Sequence, residues 1–455
     1  MAAIVQPYIF SWKQIEADSD LNRLCLVLSA LPDESFVRLL EARRGKGRDD
    51  YPVRPVWNAM LAGIVFQHQS AASLLRELRR NAELRSLCGF NPMGGALAVP
   101  SEDAFGRFLV NVIQEQDALL DIFQQLVEKL GSRLPDLGKR LAVDSKAIPT
   151  FGRPVRDAAK RQGPDRRRDE DADWGVKTYK GTRKDGTHWE KISSWFGYKL
   201  HLMVDSVYEL PLAFELTKAS VSDMNHLMPL LEDLNQHHVD LVERADEVSA
   251  DKGYDSKDNN TEPLDEWNIK PIIDKRRLWK ENHSDQGLST RTLFEDRAEP
   301  FIYDEQGHVY CVCPQTQEQR ELSFFGYEAN RQALKYRCPA ATNGFDCQGR
   351  TSCESQASVG PFGRVVRVPL EMDRRIFTPI ARHTNKWKKA YARRTSVERV
   401  NGRLDCVLGF EQHTIRGLAK MKTRVTLALI VMLAMALGRI QANQADLMRS
   451  MTKLA

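Results

Sequence analysis

The feature that most constrains the fold is a run of short apolar segments between Lys139 and Arg276, separated by turn residues and helix-length stretches. KRLAVDSKAI, SSWFGYKLHLMVDSV and LPLAFELTKA read as three strands in succession. DMNHLMPLLEDLNQHHV reads as a helix, EVSADKGY as a fourth strand and turn, NTEPLDEWN as a short helix and IKPIIDKR as a fifth strand. Successive strands pair as hairpins, whereas a strand–helix–strand unit returns in parallel. The order therefore implies an α/β fold, a mixed five-stranded sheet with helices on its faces. Residues 152–190, polar and centred on RDAAKRQGPDRRRDEDAD, read as a loop.

At 455 residues the chain exceeds one ordinary core. Residues 1–137 read as helices, with Pro55–His68, Ser70–Leu87 and the stretch from Phe105 to Leu130 as the clearest. Pro100-Ser101-Glu102-Asp103 is a start signal, a capping serine followed by acids that suit the positive end of the helix dipole. Two readings of this part stay open, a plain helical bundle and a DNA-end-binding domain with a helix-turn-helix element. Residues 138–275 hold the sheet, 276–373 break into short polar stretches and read as an insertion, and 374–455 return to helix. The apolar run Val425–Leu437 is too short to cross a bilayer and reads as a buried helix. The N-terminus lacks a signal pattern, so a cytoplasmic protein with no membrane partner is expected.

The net charge of +5 is unevenly placed. From Arg374 to Arg424 there are 14 Lys or Arg against three acids, Glu398, Asp405 and Glu411. Arg393, Arg394, Arg399 and Arg403 lie in this run. A solvated basic surface is the plain account; so many cations with so few acids point further, to phosphates.

Three acids stand out. Asp144 in LAVDSKA and Asp251 in SADKGYDS each follow an apolar strand, which delivers a carboxylate to the sheet edge. Either alone is ordinary, since such acids often bind loop amides. Glu398 lies in YARRTSVERVNGRLD; on one helix Tyr391, Arg394, Glu398 and Asp405 would share a face. An Arg394–Glu398 surface ion pair is the simpler account. Together, three carboxylates can hold two Mg²⁺ or Mn²⁺ ions, hard cations that prefer oxygen ligands. One ion would activate the attacking water or hydroxyl and the other would stabilise the leaving oxygen.

AVDSKAI, GYKLHLMVDS, ADKGYDS and YARRTSVERVNGRL, in that order, resemble the catalytic segments of DDE transposases of bacterial insertion sequences. The resemblance runs from about Leu141 to Ile440. It implies a ribonuclease-H-like catalytic domain with Asp144, Asp251 and Glu398 as metal-binding catalytic acids. It implies cleavage and strand transfer at element ends, with transposon-end DNA and target DNA as partners and a homodimer in the DNA complex. It also implies that Tyr391 and Arg394 contact the end beside the cut. Many relatives carry a Tyr, Arg, Glu, Lys signature here; Asp405 occupies the lysine position, and Arg399 or Arg403 would have to substitute. The N-terminal helices also look like the DNA-binding region of such elements. Two further readings are a transposase-derived DNA-binding protein without cleavage activity and a host nuclease of the same fold.

Five of the eight cysteines, Cys311, Cys313, Cys338, Cys347 and Cys353, fall within 43 residues. Some of these transposases carry a cysteine-rich insertion in this place. Cys313, Cys338, Cys347 and Cys353 make four thiols for a structural Zn²⁺, with Cys311 as a substitute for Cys313, against plain reduced thiols. The insert has few apolar runs, so it is expected to bury little surface and to need such a staple. His201, the His237-His238 pair, Trp279 and Trp387 read as packing or surface residues, and Gly253 as a turn residue.

Overall fold

The computed structural model describes residues 20–45, 50–154, 168–183, 185–276, 279, 290–294, 301–313, 316–344, 347–348 and 363–452. Seven helices come first among these: α1 (Asn22–Ala30), α2 (Glu34–Arg44), α3 (Val53–Val65), α4 (Ala71–Arg80), α5 (Ala82–Cys88), α6 (Glu102–Gln114) and α7 (Gln116–Gly131). The capping serine is where the start signal puts it, Ser101 Oγ accepting from the Ala104 amide at 3.2 Å. Two stretches expected to run unbroken are divided. Asn81 ends α4 in an extended conformation and its side chain caps α5 through the Leu84 amide at 2.9 Å. Glu115 likewise separates α6 from α7.

The main sheet has six strands: β1 (Arg140–Pro149), β2 (Asp173–Thr182), β3 (His188–Asp205), β4 (Pro211–Lys218), β5 (Glu247–Ala250) and β6 (Lys270–Ile273). Its order is β2-β3-β1-β5-β6, with β4 also paired to β3. β3 is antiparallel to β1, β2 and β4, whereas β5 is parallel to both β1 and β6. The parallel strands are reached through α8 (Leu227–His237) with α9 (Val239–Glu243), and through α10 (Lys257–Trp267). Five strands were expected. The sixth, β2, and the first part of β3 lie in the segment read as a loop, because their alternation places apolar and polar residues alike in solvent. The rest of that loop includes residues 155–167, outside the described ones.

Beyond β6 come a four-stranded and a three-stranded antiparallel sheet. The first holds β7 (Thr290–Thr292), β8 (Phe301–Asp304), β9 (Val309–Val312) and β10 (Gln319–Glu321). The second holds β11 (Ser323–Glu328), β12 (Ala333–Arg337) and β13 (Val365–Pro369), with the short α11 (Pro339–Asn343) before β13. This region has a core of its own, with Leu293, Phe301, Val309, Leu334, Tyr336 and Val368 buried together. The expectation of little buried surface is thus corrected. Single apolar residues on short strands converge here without forming a run visible in the sequence.

The chain closes with α12 (Asn385–Ala392), α13 (Thr395–Leu408) and α14 (Leu418–Gln441). α14 extends well beyond the apolar run and is long and apolar enough to cross a membrane by composition, but 94% of its apolar window is buried inside the protein. It packs against α1, α3, α6 and α7 and on β4. N-terminal helices, sheet and α14 thereby share one continuous apolar core.

Candidate active site

In the parallel β1–β5 ladder Leu141 pairs with Val248, Ala142 with Ser249 and Val143 with Ala250. Asp144 and Asp251 are the residues that follow this last pair on the two adjacent strands. β5 stops there, since Asp251 turns into a short 3-10 helix and accepts from the Gly253 amide at 2.7 Å. Gly253 serves that carboxylate: a Cβ there would stand 2.7 Å from Asp251 Oδ1.

Asp144 is largely buried, its side chain 17% exposed. Burial first, and the charge of Asp251 second, push its carboxyl up to about 6, against the Ser145 amide, Lys177 and Arg394. Tyr254, fully buried beside it, has its phenol raised by burial and then by the charges of Asp223, Asp144 and Asp251. Asp223, on the turn after β4, is therefore another acid of this site, one that the sequence reading passed over. Its sequence signal was that of an ordinary helix start. The buried Lys199 lies 2.8 Å from its Oδ1, and this contact with the lysine charge holds its carboxyl down against burial.

The helical pair α12–α13 brings the rest. Tyr391, Arg394, Glu398 and Asp405 do not lie on one helix, because α12 ends at Ala392 and Arg394 caps α13. The sidedness survives the break. Arg394 Nη1 donates to Asp144 Oδ2 at 3.5 Å and its Nη2 to Glu398 Oε1 at 2.8 Å. Glu398, in the first turn of α13, is 53% exposed, and the Arg394–Glu398 ion pair is present. The Tyr391 ring stacks on Trp387, centroids 4.8 Å apart and planes 10° from parallel.

The other basic candidates are engaged too. Arg393 pairs with Glu247. Arg399 and Arg403 both grip the buried Glu209, at 2.6 and 2.8 Å. Exposed cations of the run include Lys386, Lys388 and Lys389 on α12. His201 is buried, stacked on His226 at 4.0 Å, and bonds to Thr217. His238 bonds to Gln124, and Trp279 packs edge-on to Tyr303.

The largely buried Asp144, reluctant to ionise, and the half-buried Asp251 on the neighbouring strand are a hard-oxygen donor pair suited to a divalent cation, and Glu398 is held by the same Arg394 that reaches Asp144. Among the described residues no three His, Cys, Asp or Glu side chains already converge as a metal cluster. Of the four thiols, Cys313 is buried on the β9 side, Cys338 and Cys347 are half-buried, and Cys353 lies outside the described residues. The described cysteines are unbridged.

Residues 136–434, more than half of the chain, match the family model described as Transposase DDE domain. No curated protein matches the sequence.

Proposed function

The chain belongs to the transposase DDE domain family, and on that premise we propose that it binds the ends of an insertion sequence, cuts them and joins them to target DNA. The observation that carries this reading is the Asp144–Asp251 pair, set side by side by the β1–β5 register, with Glu398 presented from α13. Burial and the neighbouring Asp251 charge both raise the cost of charging Asp144. A divalent cation offsets that cost. We assign Asp144, Asp251 and Glu398 as ligands of two Mg²⁺ or Mn²⁺ ions, in a ribonuclease-H-like arrangement.

When bound, these ions would supply Lewis acidity to the attacking and leaving oxygens of a phosphodiester. The chain's own residues do the remainder. Asp251 is oriented by the Gly253 amide, and Asp144 by the Ser145 amide at 2.8 Å. Arg394 holds Asp144 and Glu398 through its two terminal nitrogens, at 3.5 and 2.8 Å, and its fork is suited to a phosphate. The exposed lysines of α12 lie on the same helical pair and offer phosphate contacts. The N-terminal helices are assigned to end recognition, the working form on DNA to a dimer, and Cys313, Cys338, Cys347 and Cys353 to a structural Zn²⁺.

The test is an end-cleavage assay with Mg²⁺, using Asp144→Asn, Asp251→Asn and Glu398→Gln. Each should abolish cleavage and leave end binding in place. Cleavage at the wild-type rate in any of the three removes that residue from the site. Cutting without joining in the wild type would make the protein a nuclease, and binding alone a DNA-binding derivative.

A further inference from the structure

β3 is two strands in one. Residues 197–205 are buried between β1 and β4, whereas residues 188–196 pair with β2 alone. The β2–β3 hairpin is therefore an arm standing off the sheet, with most of its residues exposed. An arm that only closed the sheet would have no use for exposed aromatics, yet Tyr179 and Trp189 are 49% and 38% exposed.

Side chains alternate along each strand, and residues in register across it share a face. One face carries Gly175, Lys177, Tyr179 and Gly181 on β2, opposite Trp195, Ser193, Lys191 and Trp189 on β3. The two glycines explain the two tryptophans. A Cβ at Gly175 would meet the Trp195 ring, and one at Gly181 would stand 2.6 Å from Trp189 Nε1. Both indoles thus lie over the partner strand with the outer ring face uncovered by it. Trp195, at the root, is fixed by its Nε1–H donating to the Tyr198 carbonyl at 3.0 Å. Lys177 ties this face to the carboxylates: it donates to the Ser145 carbonyl at 3.4 Å, and its charge acts to lower the Asp144 carboxyl. Asp173, also on this face, is taken up by Ser220.

We infer that this face is a platform for an unpaired DNA strand beside the cut, with Lys177 and Lys191 meeting phosphates and Tyr179 and Trp189 stacking on bases. Flat aromatic faces interleaved with cations are what a single strand recognises, since every base has a π-face and every link a charge. A duplex hides its bases and has no use for the rings. The opposite face differs: Trp174, Val176 and Ile192 are exposed, and Lys180 is paired with Glu190 at 3.2 Å. It has the chemistry of a protein contact, so a second copy of the chain is the competing occupant of the arm.

The inference rests on the proposed DNA chemistry, but its test does not pass through cleavage. Fluorescence anisotropy of the full chain, without divalent metal, would follow a labelled oligothymidine of about 15 nucleotides and a duplex of equal length. Tyr179→Ala with Trp189→Ala should weaken oligothymidine binding about 5- to 100-fold and leave duplex binding, circular dichroism and sedimentation unchanged. Trp189→Phe, which keeps a stacking ring, should retain most of the affinity. Oligothymidine should also quench tryptophan emission of the unaltered chain, and less so in Trp189→Phe. Unchanged oligothymidine affinity in the double variant, equal loss on duplex, or absence of quenching would overturn the platform. A shift in sedimentation would instead assign the arm to contact between copies. A chain that binds oligothymidine in this way yet never cuts DNA would sink the cleavage proposal alone.

Discussion

Lys146 on β1 donates to Asp405 on α13 at 2.6 Å, joining positions 259 residues apart in the chain. Lys146 also reaches Glu411 at 2.9 Å, and its own side chain is only 8% exposed. Asp405 stands where the resemblance leads one to expect a lysine. The pairing supplies a local reason: β1 already brings a buried cation to this spot, and a second one from α13 would repel it. Asp405→Lys should therefore destabilise the fold by about 3 kcal/mol, the scale of breaking a buried pair. Lys146→Met added to it should recover much of the loss. Urea denaturation of the two variants checks this, and no recovery in the double variant would mean that the cost does not come from Lys146.

The raised Asp144 carboxyl makes a statement about stability. Its folded value of about 6 stands above the ordinary 3.8, so the folded state holds the proton longer than the unfolded chain does. Stability is therefore undiminished below about pH 4, falls as pH rises through the window to about 6, and stays reduced above it. The full effect is roughly 3 kcal/mol for a shift of this size. Asp144→Asn should raise the melting temperature at pH 7.5 and change little at pH 4, while cleavage is lost. In the unaltered protein without DNA, added Mg²⁺ should raise the pH 7.5 melting temperature too. A lower melting temperature for Asp144→Asn at pH 7.5 would show that the bond from Arg394 outweighs the burial of charge.

The basic run should divide into two classes in a salt titration of DNA binding. Lys386, Lys388 and Lys389 are exposed on α12, and replacing all three with Ala should lower the salt slope by about 2 to 3. Arg399 and Arg403 hold the buried Glu209. Replacing Arg403 should destabilise the fold, because it leaves Glu209 short of a partner, and should change the slope little. An unchanged slope in the triple lysine variant, with the fold intact, would remove α12 from the phosphate contacts.

Zinc has a direct measurement. Protein purified without chelator should contain about one zinc per chain by elemental analysis, and Cys338→Ser should lose it. Because the insertion region has its own buried cluster, loss of zinc should loosen the turns that carry the thiols and leave Tyr336 and Phe301 packed. Zinc content near zero in the unaltered protein would leave these cysteines as plain thiols.

Much of the site could be read along the chain because its signals are local. Asp144 and Asp251 each follow a short apolar run, although Asp144 lies in mid-β1 rather than at a strand end and only Asp251 stands just past its strand, and Tyr391, Arg394 and Glu398 keep helical spacing. Periodicity reports what one element buries, so β1, β3, β4, β5 and β6 were legible. β2 was not: it buries neither face consistently, and its partner is defined by register with β3. The insertion core escaped notice for a related reason, since strands of three to six residues are too short to display a pattern.

Sequence by itself determined the order of five of the six main-sheet strands, the proposed trio Asp144, Asp251 and Glu398 and the excess of positive charge near Glu398, all properties of residues close together in the chain. Tertiary structure alone decided which charges meet. Arg394 faces Asp144 and Glu398, Arg399 and Arg403 face Glu209, Lys146 faces Asp405, and Asp223 joins the acids beside Tyr254. A charge's partner is set by distance across the fold and by how much water is excluded between the two groups. Neither quantity is written in spacing along a strand or helix, so a run of cations reads as a DNA surface until packing shows which of them are already neutralised.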